Sequence, residues 1–350
     1  MGRLKRILLF VGIGICFCGC TKNVEEEKPV EPDGEVKEVQ IGITFDSFII
    51  ERWQRDRDVF VSTVKELGAQ VNVQNANGSV EEQKAQIQYF IDKKVDVIVV
   101  AAVDSDSLVK EVEKAHRAGI KVIAYDRLLL NADADLYISF DNEKVGELMA
   151  KTIVEQMPEG GKVIKISGPL MDNNVRLMDQ GFQKEIAGTK IEVIDSFNAS
   201  EWKGEEAFNF LNDHVTELYQ AGAIMCGNDT LAGQAIRALS ERRLAGKVIV
   251  VGQDADLEAC QRIVEGTQSM TVYKPIERLA KKAAQCAVAM GEGRPIQKEP
   301  GIFLETIDDG SHTIPYVKLQ PERVTKYNMD TLIIGSGFHL REDVYANVPK

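Results

Sequence analysis

Several residues that could bind a polar ligand follow short apolar runs in this 350-residue chain. A carboxylate accepts hydrogen bonds and a guanidinium donates them, so together they can satisfy a ligand that carries several hydroxyl groups. In an open parallel sheet, ligands bind beyond the carboxyl ends of the strands. The residues that the sequence pattern places there are Asp126, Arg127, Asn228 and Asp254.

An N-cap role is the alternative for these residues, because Asp and Asn often cap the helix that follows a strand. We favour that role for Asp104 and Asp229. It explains Asp126 less well, since a cap does not require the neighbouring Arg127. The pair therefore remains a candidate for ligand binding.

The only two tryptophans of the chain, Trp53 and Trp202, fall one in each half. An indole offers a flat apolar face that suits the C–H face of a sugar ring, while the charged residues suit its hydroxyl groups. For either tryptophan taken singly, ordinary packing is the alternative. Together with the polar residues, they favour a sugar site.

Apolar runs alternate with amphipathic stretches along the body of the chain, a pattern typical of strands that alternate with helices. This alternation predicts parallel sheets with helices on both faces. A break near 137–142 divides it into two series, so the predicted fold class is α/β with two Rossmann-like lobes. The predicted strands are 39–45, 71–74, 95–101, 121–125, 162–167, 191–195, 222–226 and 248–252, and the predicted helices are 54–67, 80–93, 107–118, 142–156, 231–244, 257–264 and 276–290.

Composition and motifs exclude several classes of protein. The formal net charge of -12 argues against a nucleic-acid partner, which would require a basic face. Three of the six cysteines lie near the start and the others are widely spaced, so we predict neither a disulfide scaffold nor a metal site. The four histidines have no companion at metal or triad spacing, and no GxSxG, HExxH or P-loop motif occurs. We therefore predict a protein that is not an enzyme and needs no cofactor.

Motifs along the chain resemble those of bacterial D-xylose-binding proteins. They are IERWQRDRD at 50–58, AYDR at 124–127, YISFDNEKVGE at 137–147, DNN at 172–174, GQDAD at 252–256, MTVYKP at 270–275 and GFH at 337–339. The resemblance extends in order from Val39 to Tyr345. It implies a type I periplasmic-binding-protein fold, in which two lobes joined by a three-strand hinge close over a sugar. The crossings are expected near 138–142, 271–275 and 313–318.

The resemblance also implies which residues contact the sugar. The first lobe would supply Arg52, Trp53, Asp126 and Arg127, the second lobe Asn174, Trp202, Asn228 and Asp254, and a crossing Lys274. Without the resemblance, Arg52 is interpreted as a solvated helical residue and Lys274 as the end of a strand. We retain the solvated interpretation for Arg55 and Arg57.

Residues 1–20 are typical of an export signal, with a positively charged start followed by a short apolar run. Gly19 before Cys20 resembles the lipobox of bacterial lipoproteins, in which the cysteine is lipidated. A plain cleaved signal or an uncleaved anchor is the alternative. Residues 21–38 are rich in Glu, Lys and Pro and predict a flexible tether. We expect an extracytoplasmic protein anchored to the outer face of the cell membrane.

The predicted domain division has four parts. They are a lipoprotein signal peptide at 1–20, a tether at 21–38, an N-terminal lobe formed by 39–140 plus 276–312, and a C-terminal lobe formed by 141–275 plus 313–350.

Two functions share this predicted architecture. The first is a lipid-anchored protein that captures D-xylose and delivers it to the permease of an ABC importer. The second is a xylose sensor whose sugar-loaded form docks on a membrane histidine kinase or receptor. A sugar-responsive repressor is excluded, because residues 1–38 hold an export signal and a tether where a DNA-binding module would stand.

Overall fold

The computed structural model describes residues 38–49 and 52–348. Glu38–Lys350 is one structural unit. The predicted signal peptide, Cys20 and nearly all of the predicted tether lie outside the described residues.

Strands and helices alternate through most of the described chain. The strands are β1 (Gln40–Phe45), β2 (Gln70–Asn75), β3 (Val97–Val100), β4 (Lys121–Tyr125), β5 (Leu136–Phe140), β6 (Gly161–Ser167), β7 (Ile191–Asn198), β8 (Ala223–Cys226), β9 (Ile249–Gln253), β10 (Met270–Tyr273), β11 (Glu305–Asp308), β12 (Thr313–Leu319) and β13 (Glu322–Val324). The helices are α1 (Arg52–Glu66), α2 (Val80–Asp92), α3 (Val109–Arg117), α4 (Asn142–Gln156), α5 (Asn173–Ile186), α6 (Gly204–Asp213), α7 (Val215–Gln220), α8 (Asp229–Ser240), α9 (Leu257–Glu265), α10 (Ile276–Gly291) and α11 (Arg341–Val344).

Two separate sheets organise the described residues. The first has the strand order β11-β12-β5-β4-β3-β1-β2, and the second has the order β13-β10-β9-β8-β6-β7. Neighbouring strands are parallel except at one edge of each sheet, where β11 pairs with β12 and β13 with β10 in antiparallel fashion. The predicted α/β class with two Rossmann-like lobes is confirmed.

Burial on both faces explains why the central strands are almost continuously apolar. In β3 every residue of the run VIVV is buried, and β8 and β10 are likewise buried throughout. One apolar cluster surrounds the second sheet, while two others cover opposite faces of the first. A fourth cluster packs the C-terminal residues, among them Phe338 and Val344, against Ala255 and Ile263.

The chain passes between the two sheets at three places. It leaves the first sheet after β5, returns after β10 into α10, and leaves again after β12. Because β12 pairs with β5, residues 313–319 belong to the first sheet, whereas our predicted division assigned 313–350 to the second lobe. The chain therefore changes sheet after Leu319. That the two lobes move as separate bodies stays a prediction.

Helices α4 and α5 approach each other at backbone distance. A Cβ atom on Gly146 would lie 1.9 Å from the Met178 carbonyl oxygen, and one on Gly181 would lie 1.9 Å from the Glu143 carbonyl oxygen. Only glycine fits at either position, since backbone atoms cannot move aside as a flexible side chain can.

The three cysteines of the described residues, Cys226, Cys260 and Cys286, are buried free thiols. Burial raises the pKa of the Cys286 thiol to about 12, and it raises the pKa of the other two as well.

Over residues 38–49 and 52–348, no helix combines the length and the apolar character that crossing a membrane would demand.

Candidate functional site

A cavity lies between the two sheets, and all nine residues predicted for the site line it. Each of the nine is buried. Asp172 and Gln253 line the same cavity, although neither residue was predicted for the site. The sequence could have indicated Gln253, since it stands at the carboxyl end of β9 directly before Asp254.

The site residues lie at the carboxyl ends of strands or in the first turn of the following helix. This placement follows from the parallel topology, in which these ends meet at one edge of each sheet. From the first sheet come Arg52 and Trp53 at the start of α1 and Asp126 and Arg127 after β4; from the second come Asn174 in α5, Trp202 before α6, Asn228 before α8, Asp254 after β9 and Lys274 after β10.

Arg52 lies among three carboxylates. Its Nη2 is 2.9 Å from Asp126 Oδ2, its Nε is 3.1 Å from Asp56 Oδ2, and its Nη1 is 4.0 Å from Asp254 Oδ1. The hydroxyl of Tyr125 also donates to Asp56. Burial opposes ionisation of Asp126, but the positive charges, above all that of Arg52, outweigh it and lower the pKa of this carboxyl. Asp126 is therefore a charged acceptor at neutral pH.

Arg127 joins carboxylates from both sheets. Its Nη1 donates to Asp46 Oδ2 at 2.8 Å and to the Ala102 carbonyl at 2.7 Å, and its Nε is 2.8 Å from Asp172 Oδ2. Burial opposes the charge of this guanidinium, but Asp172 and Asp46 outweigh that effect and raise its pKa. The arginine thus stays protonated while buried between the two sheets.

Residues of the second sheet complete the polar lining. Asn174 Nδ2 donates to Asp126 Oδ1 at 3.1 Å, and its own Oδ1 accepts from Asn142 Nδ2 at 2.9 Å. Lys274 Nζ lies 2.9 Å from Asp254 Oδ1. Donors and acceptors therefore face one another across the cavity, where the hydroxyl groups of a ligand could exchange with them.

Both tryptophans contribute a buried ring and a buried donor. The guanidinium of Arg52 lies 4.6 Å from the ring centre of Trp53, and a Cβ on Gly168 would meet the ring of Trp202 at 2.3 Å. Within the described residues, neither indole N–H has a hydrogen-bond acceptor. Buried N–H groups usually have one, so packing alone does not account for these side chains.

Three site residues have left-handed backbone conformations that L-amino acids rarely adopt. The φ angles are 63° at Asp126, 58° at Trp202 and 98° at Asp254, and Ala255 follows with 55°. Strained non-glycine residues of this kind concentrate at functional sites.

The structure corrects two expectations about neighbouring residues. Arg55, expected to be solvated, donates to the Phe338 carbonyl at 2.9 Å and pairs with Glu277 at 2.9 Å, so it ties α1 to the C-terminal segment. Asp229, expected to be a cap, is instead buried, and Asn228 caps α8 by accepting from the Leu231 N–H at 2.9 Å. Local sequence does not reveal the roles of Arg55 and Asp229, because their partners are distant in the chain.

Of the two remaining expectations at these positions, the one for Arg57 agrees with the structure and the one for Asp104 does not. Within the described residues, Arg57 forms an ion pair only with its neighbour Asp58, and this pair lies at the surface. Asp104, expected to be a cap, accepts from the Asp106 N–H at 2.9 Å and from the Ser107 hydroxyl at 2.6 Å within the loop before α3. The N-cap residue of α3 is instead Leu108, which has no capping side chain, so this expectation is wrong.

Outside the cavity, one cluster of the described residues brings possible metal ligands close together. It consists of Asp195, His214 and Glu217. His214 Nδ1 lies 2.5 Å from Asp195 Oδ2, which is hydrogen-bonding distance. Two ligands of one ion stand farther apart than that, so the arrangement is that of a hydrogen-bonded pair.

Comparison with known proteins places this geometry in context. Residues 41–295 match the family described as "Periplasmic binding protein domain". D-xylose-binding periplasmic proteins from Haemophilus influenzae and Escherichia coli are each 42% identical to the chain, over 314 and 313 residues, covering 88% of this chain and 93% of the relative. The crystal structure of a carbohydrate transporter solute binding protein from Chloroflexus aurantiacus, in complex with D-glucose, matches with a TM-score of 0.78 at 25% identity, covering 87% of this chain and 98% of that one.

These findings confirm the resemblance that the motifs indicated. The curated relatives are named for binding and not for catalysis, in agreement with the prediction that the chain is not an enzyme. The chain belongs to the periplasmic binding protein family.

Proposed function

We propose that this chain is an extracytoplasmic D-xylose-binding protein that captures the sugar between two closing lobes and delivers it to an ABC importer. The observation that carries the proposal is that all nine residues selected from the sequence line one buried cavity. The name of the relatives that are 42% identical supports D-xylose as the ligand.

The chemistry of the lining suits a small sugar. Asp126 and Asp254 accept hydrogen bonds from hydroxyl groups, while Arg52, Arg127 and Lys274 donate to them with charge assistance. The rings of the two tryptophans offer apolar faces to the C–H groups of the sugar. Charged groups and ring faces together would hold a polar ligand that lacks charge of its own.

Ligand binding would be coupled to closure, because both sheets supply contacts. A sugar held by Arg127 and Trp53 from one side gains Asn174 and Asp254 only when the other side has closed. A ligand shifts an equilibrium by its difference in affinity for the two states, so the sugar would stabilise the closed state.

Isothermal titration calorimetry of the purified protein with D-xylose, D-glucose, D-ribose and L-arabinose tests the ligand. We expect D-xylose to bind tightly and the other sugars to bind more weakly. Lys22→Ala, in the predicted tether, is a control that should leave the affinity unchanged. Absence of heat with every sugar would show that the likeness reflects common ancestry of the fold alone.

Delivery to an importer is favoured over the sensor role by the solved structure named as a carbohydrate transporter protein. Xylose uptake by vesicles that contain the permease, with and without this protein, would test delivery. Binding to a histidine kinase domain without any stimulation of uptake would instead support the sensor.

Attachment to the membrane through a lipid on Cys20 is the remaining part of the proposal. Mass spectrometry of the protein isolated from membranes should show a diacylglyceryl group on that cysteine at the mature N-terminus. Cys20→Ala should release the protein, and an unmodified Cys20 in the membrane fraction would contradict lipidation.

A further inference from the structure

Asp254 stands in a turn that L-residues adopt at a cost. Both Asp254 and Ala255 have positive φ angles, 98° and 55°, and neither is glycine. Such conformations persist only where the surrounding structure holds them. The direction of the Asp254 carboxylate therefore depends on whatever fixes residues 254–256.

Two buried side chains bond to the backbone of this turn. The Ala255 N–H donates to Thr271 Oγ1 at 3.1 Å, and the Asp256 N–H donates to Asp229 Oδ2 at 3.2 Å. The Thr271 hydroxyl in turn donates to Asp229 Oδ2 at 2.7 Å. Gln268 Nε2 donates to the other carboxylate oxygen of Asp229 at 2.8 Å, which fixes that side chain.

These side chains lie behind the cavity and not in its lining. Thr271 has none of its surface exposed and Asp229 has 1%. The cavity lining includes neither residue, so neither is placed to touch a ligand. The C-terminal segment supports the same turn from elsewhere, since His339 Nε2 donates to the Ala255 carbonyl at 2.8 Å.

We propose that Asp229 and Thr271 are positioning residues for sugar affinity, holding the 254–256 turn in its left-handed conformation so that Asp254 faces the sugar. The inference rests on the proposed function, because it assigns Asp254 to sugar binding. It adds two residues that affect sugar binding by holding the backbone of the turn and that do not contact the sugar themselves.

The threonine hydroxyl has two roles that an apolar side chain of the same shape cannot replace. It accepts from the Ala255 N–H and donates to Asp229. Valine would leave the Ala255 N–H and one oxygen of Asp229 without these partners, and buried polar groups without partners are costly. Serine keeps the hydroxyl and loses only a methyl group.

Calorimetric titration with D-xylose of four full-length proteins tests the proposal: wild type, Thr271→Val, Thr271→Ser and Thr152→Val. We expect Thr271→Val to weaken binding by at least about tenfold. Thr271→Ser should recover the affinity to within about threefold of wild type. Thr152 is a buried threonine of α4 whose hydroxyl donates to the Leu148 carbonyl, so its valine variant is a matched control and should bind as wild type does.

A second change separates positioning from general stability. Glycine adopts positive φ freely, so Ala255→Gly lowers the cost of the turn in the absence of the threonine hydroxyl. The double variant Thr271→Val with Ala255→Gly should therefore bind xylose more tightly than Thr271→Val alone. If Thr271→Val does not fold, Asp229→Asn serves in its place, since an amide cannot accept from Thr271, Gln268 and the Asp256 N–H together.

The outcomes distinguish this inference from the proposed function. A folded Thr271→Val protein that binds xylose with wild-type affinity would overturn the positioning role while leaving the sugar-binding proposal intact. Failure of the wild type itself to bind any sugar would overturn both.

Discussion

The two buried arginines of the cavity, Arg52 and Arg127, each lie between carboxylates that come from different elements. Arg127 contacts Asp46 of one sheet and Asp172 of the other, and Lys274 contacts Asp254. A buried ion pair contributes little net stability, because removing two charges from water costs about as much as their attraction returns. Such pairs do fix geometry, and here they keep donors and acceptors aligned toward the cavity.

Asp254→Asn should weaken xylose binding by about 10- to 100-fold, because hydrogen bonds to charged groups are worth about 1.5–3 kcal/mol. Calorimetry measures the effect. Asp58→Asn, at an exposed position of α1, is the matched control and should not change the affinity. Equal affinities of the Asp254→Asn protein and the wild type would remove Asp254 from the site.

Asp229 should make the folded state less stable as the pH rises. Burial, the main cause, and the charge of Asp254 raise its pKa to about 7, against the effects of Thr271, Arg262 and Gln268. The folded protein then holds a proton that the unfolded chain releases near pH 3.9. Its stabilising effect is complete below about pH 4 and is lost as the pH rises to about 7, by up to about 1.4 kcal/mol per pH unit.

The measurement is urea unfolding of the wild type and of Asp229→Asn, which cannot titrate, at pH 5, 6, 7 and 8. The free energy of unfolding of the wild type, relative to the variant, should fall from pH 5 to pH 7 and then level. A difference that is the same at every pH would contradict the raised pKa.

Sequence predicted the residues that border the cavity better than those that support it. Asp126 and Asp254 follow recognisable strands, and the motif resemblance added residues such as Trp202. Thr271 gave no comparable signal and Asp229 was interpreted as a helix cap, since their roles arise from contacts across 42 residues of chain. A side chain that acts behind a site is visible only after the chain has folded.

At the scale of elements, the start of α5 is partly capped from the opposite side of the cavity. The Asn173 N–H donates to Ser105 Oγ at 3.1 Å, and the Ser105 N–H donates to the Met171 carbonyl at 3.0 Å. Ser105 precedes α3 and belongs with the first sheet, whereas α5 follows β6 of the second. The helix terminus therefore gains a partner from the first sheet, and under the proposed closure of the lobes this contact would form only in the closed state.

Ser105→Ala should weaken xylose binding by about 5- to 30-fold through faster dissociation, because the buried Asn173 N–H loses its acceptor in the closed state alone. Stopped-flow fluorescence can follow the dissociation rate. Ser62→Ala, on the exposed side of α1, should leave that rate unchanged. An unchanged rate in Ser105→Ala would show that the contact does not stabilise closure.

Gly146→Ala should destabilise the fold by at least about 2 kcal/mol, since its Cβ would overlap the backbone of α5. Thermal and urea unfolding measure this loss. Lys151→Ala, at an exposed position of the same helix, provides the comparison and should be nearly neutral. Equal stability of both variants would mean that α4 and α5 can separate without cost.

Several elements with a long, buried apolar pattern were predicted closely. The bounds of β4 and α4 agree with the sequence-based expectation to the residue. Strand β11 and helix α7 were not predicted, because short elements that lie partly exposed at an edge have no clear periodicity. The longer helices α5 and α6 were not predicted either. Strand β12 was recognised only as a crossing, although it also pairs within the first sheet.

For the whole molecule, xylose should reduce the radius of gyration, because the sugar would draw the two predicted lobes together. Small-angle X-ray scattering with and without saturating xylose measures the change. L-arabinose at the same concentration serves as the comparison. Identical scattering curves in a sample that binds xylose by calorimetry would indicate that binding occurs without closure.

The buried thiols have a practical consequence for detecting such closure. Cys226, Cys260 and Cys286 are shielded, with pKa values raised by burial, so reagents that attack thiolates should leave them unmodified. A cysteine introduced at exposed Asp106, which pairs with Arg176 on the opposite side of the cleft, would then be the reactive thiol of residues 39–350. A fluorescent dye attached there would change its surroundings as the cleft closes, turning this protein into an optical reporter for its sugar.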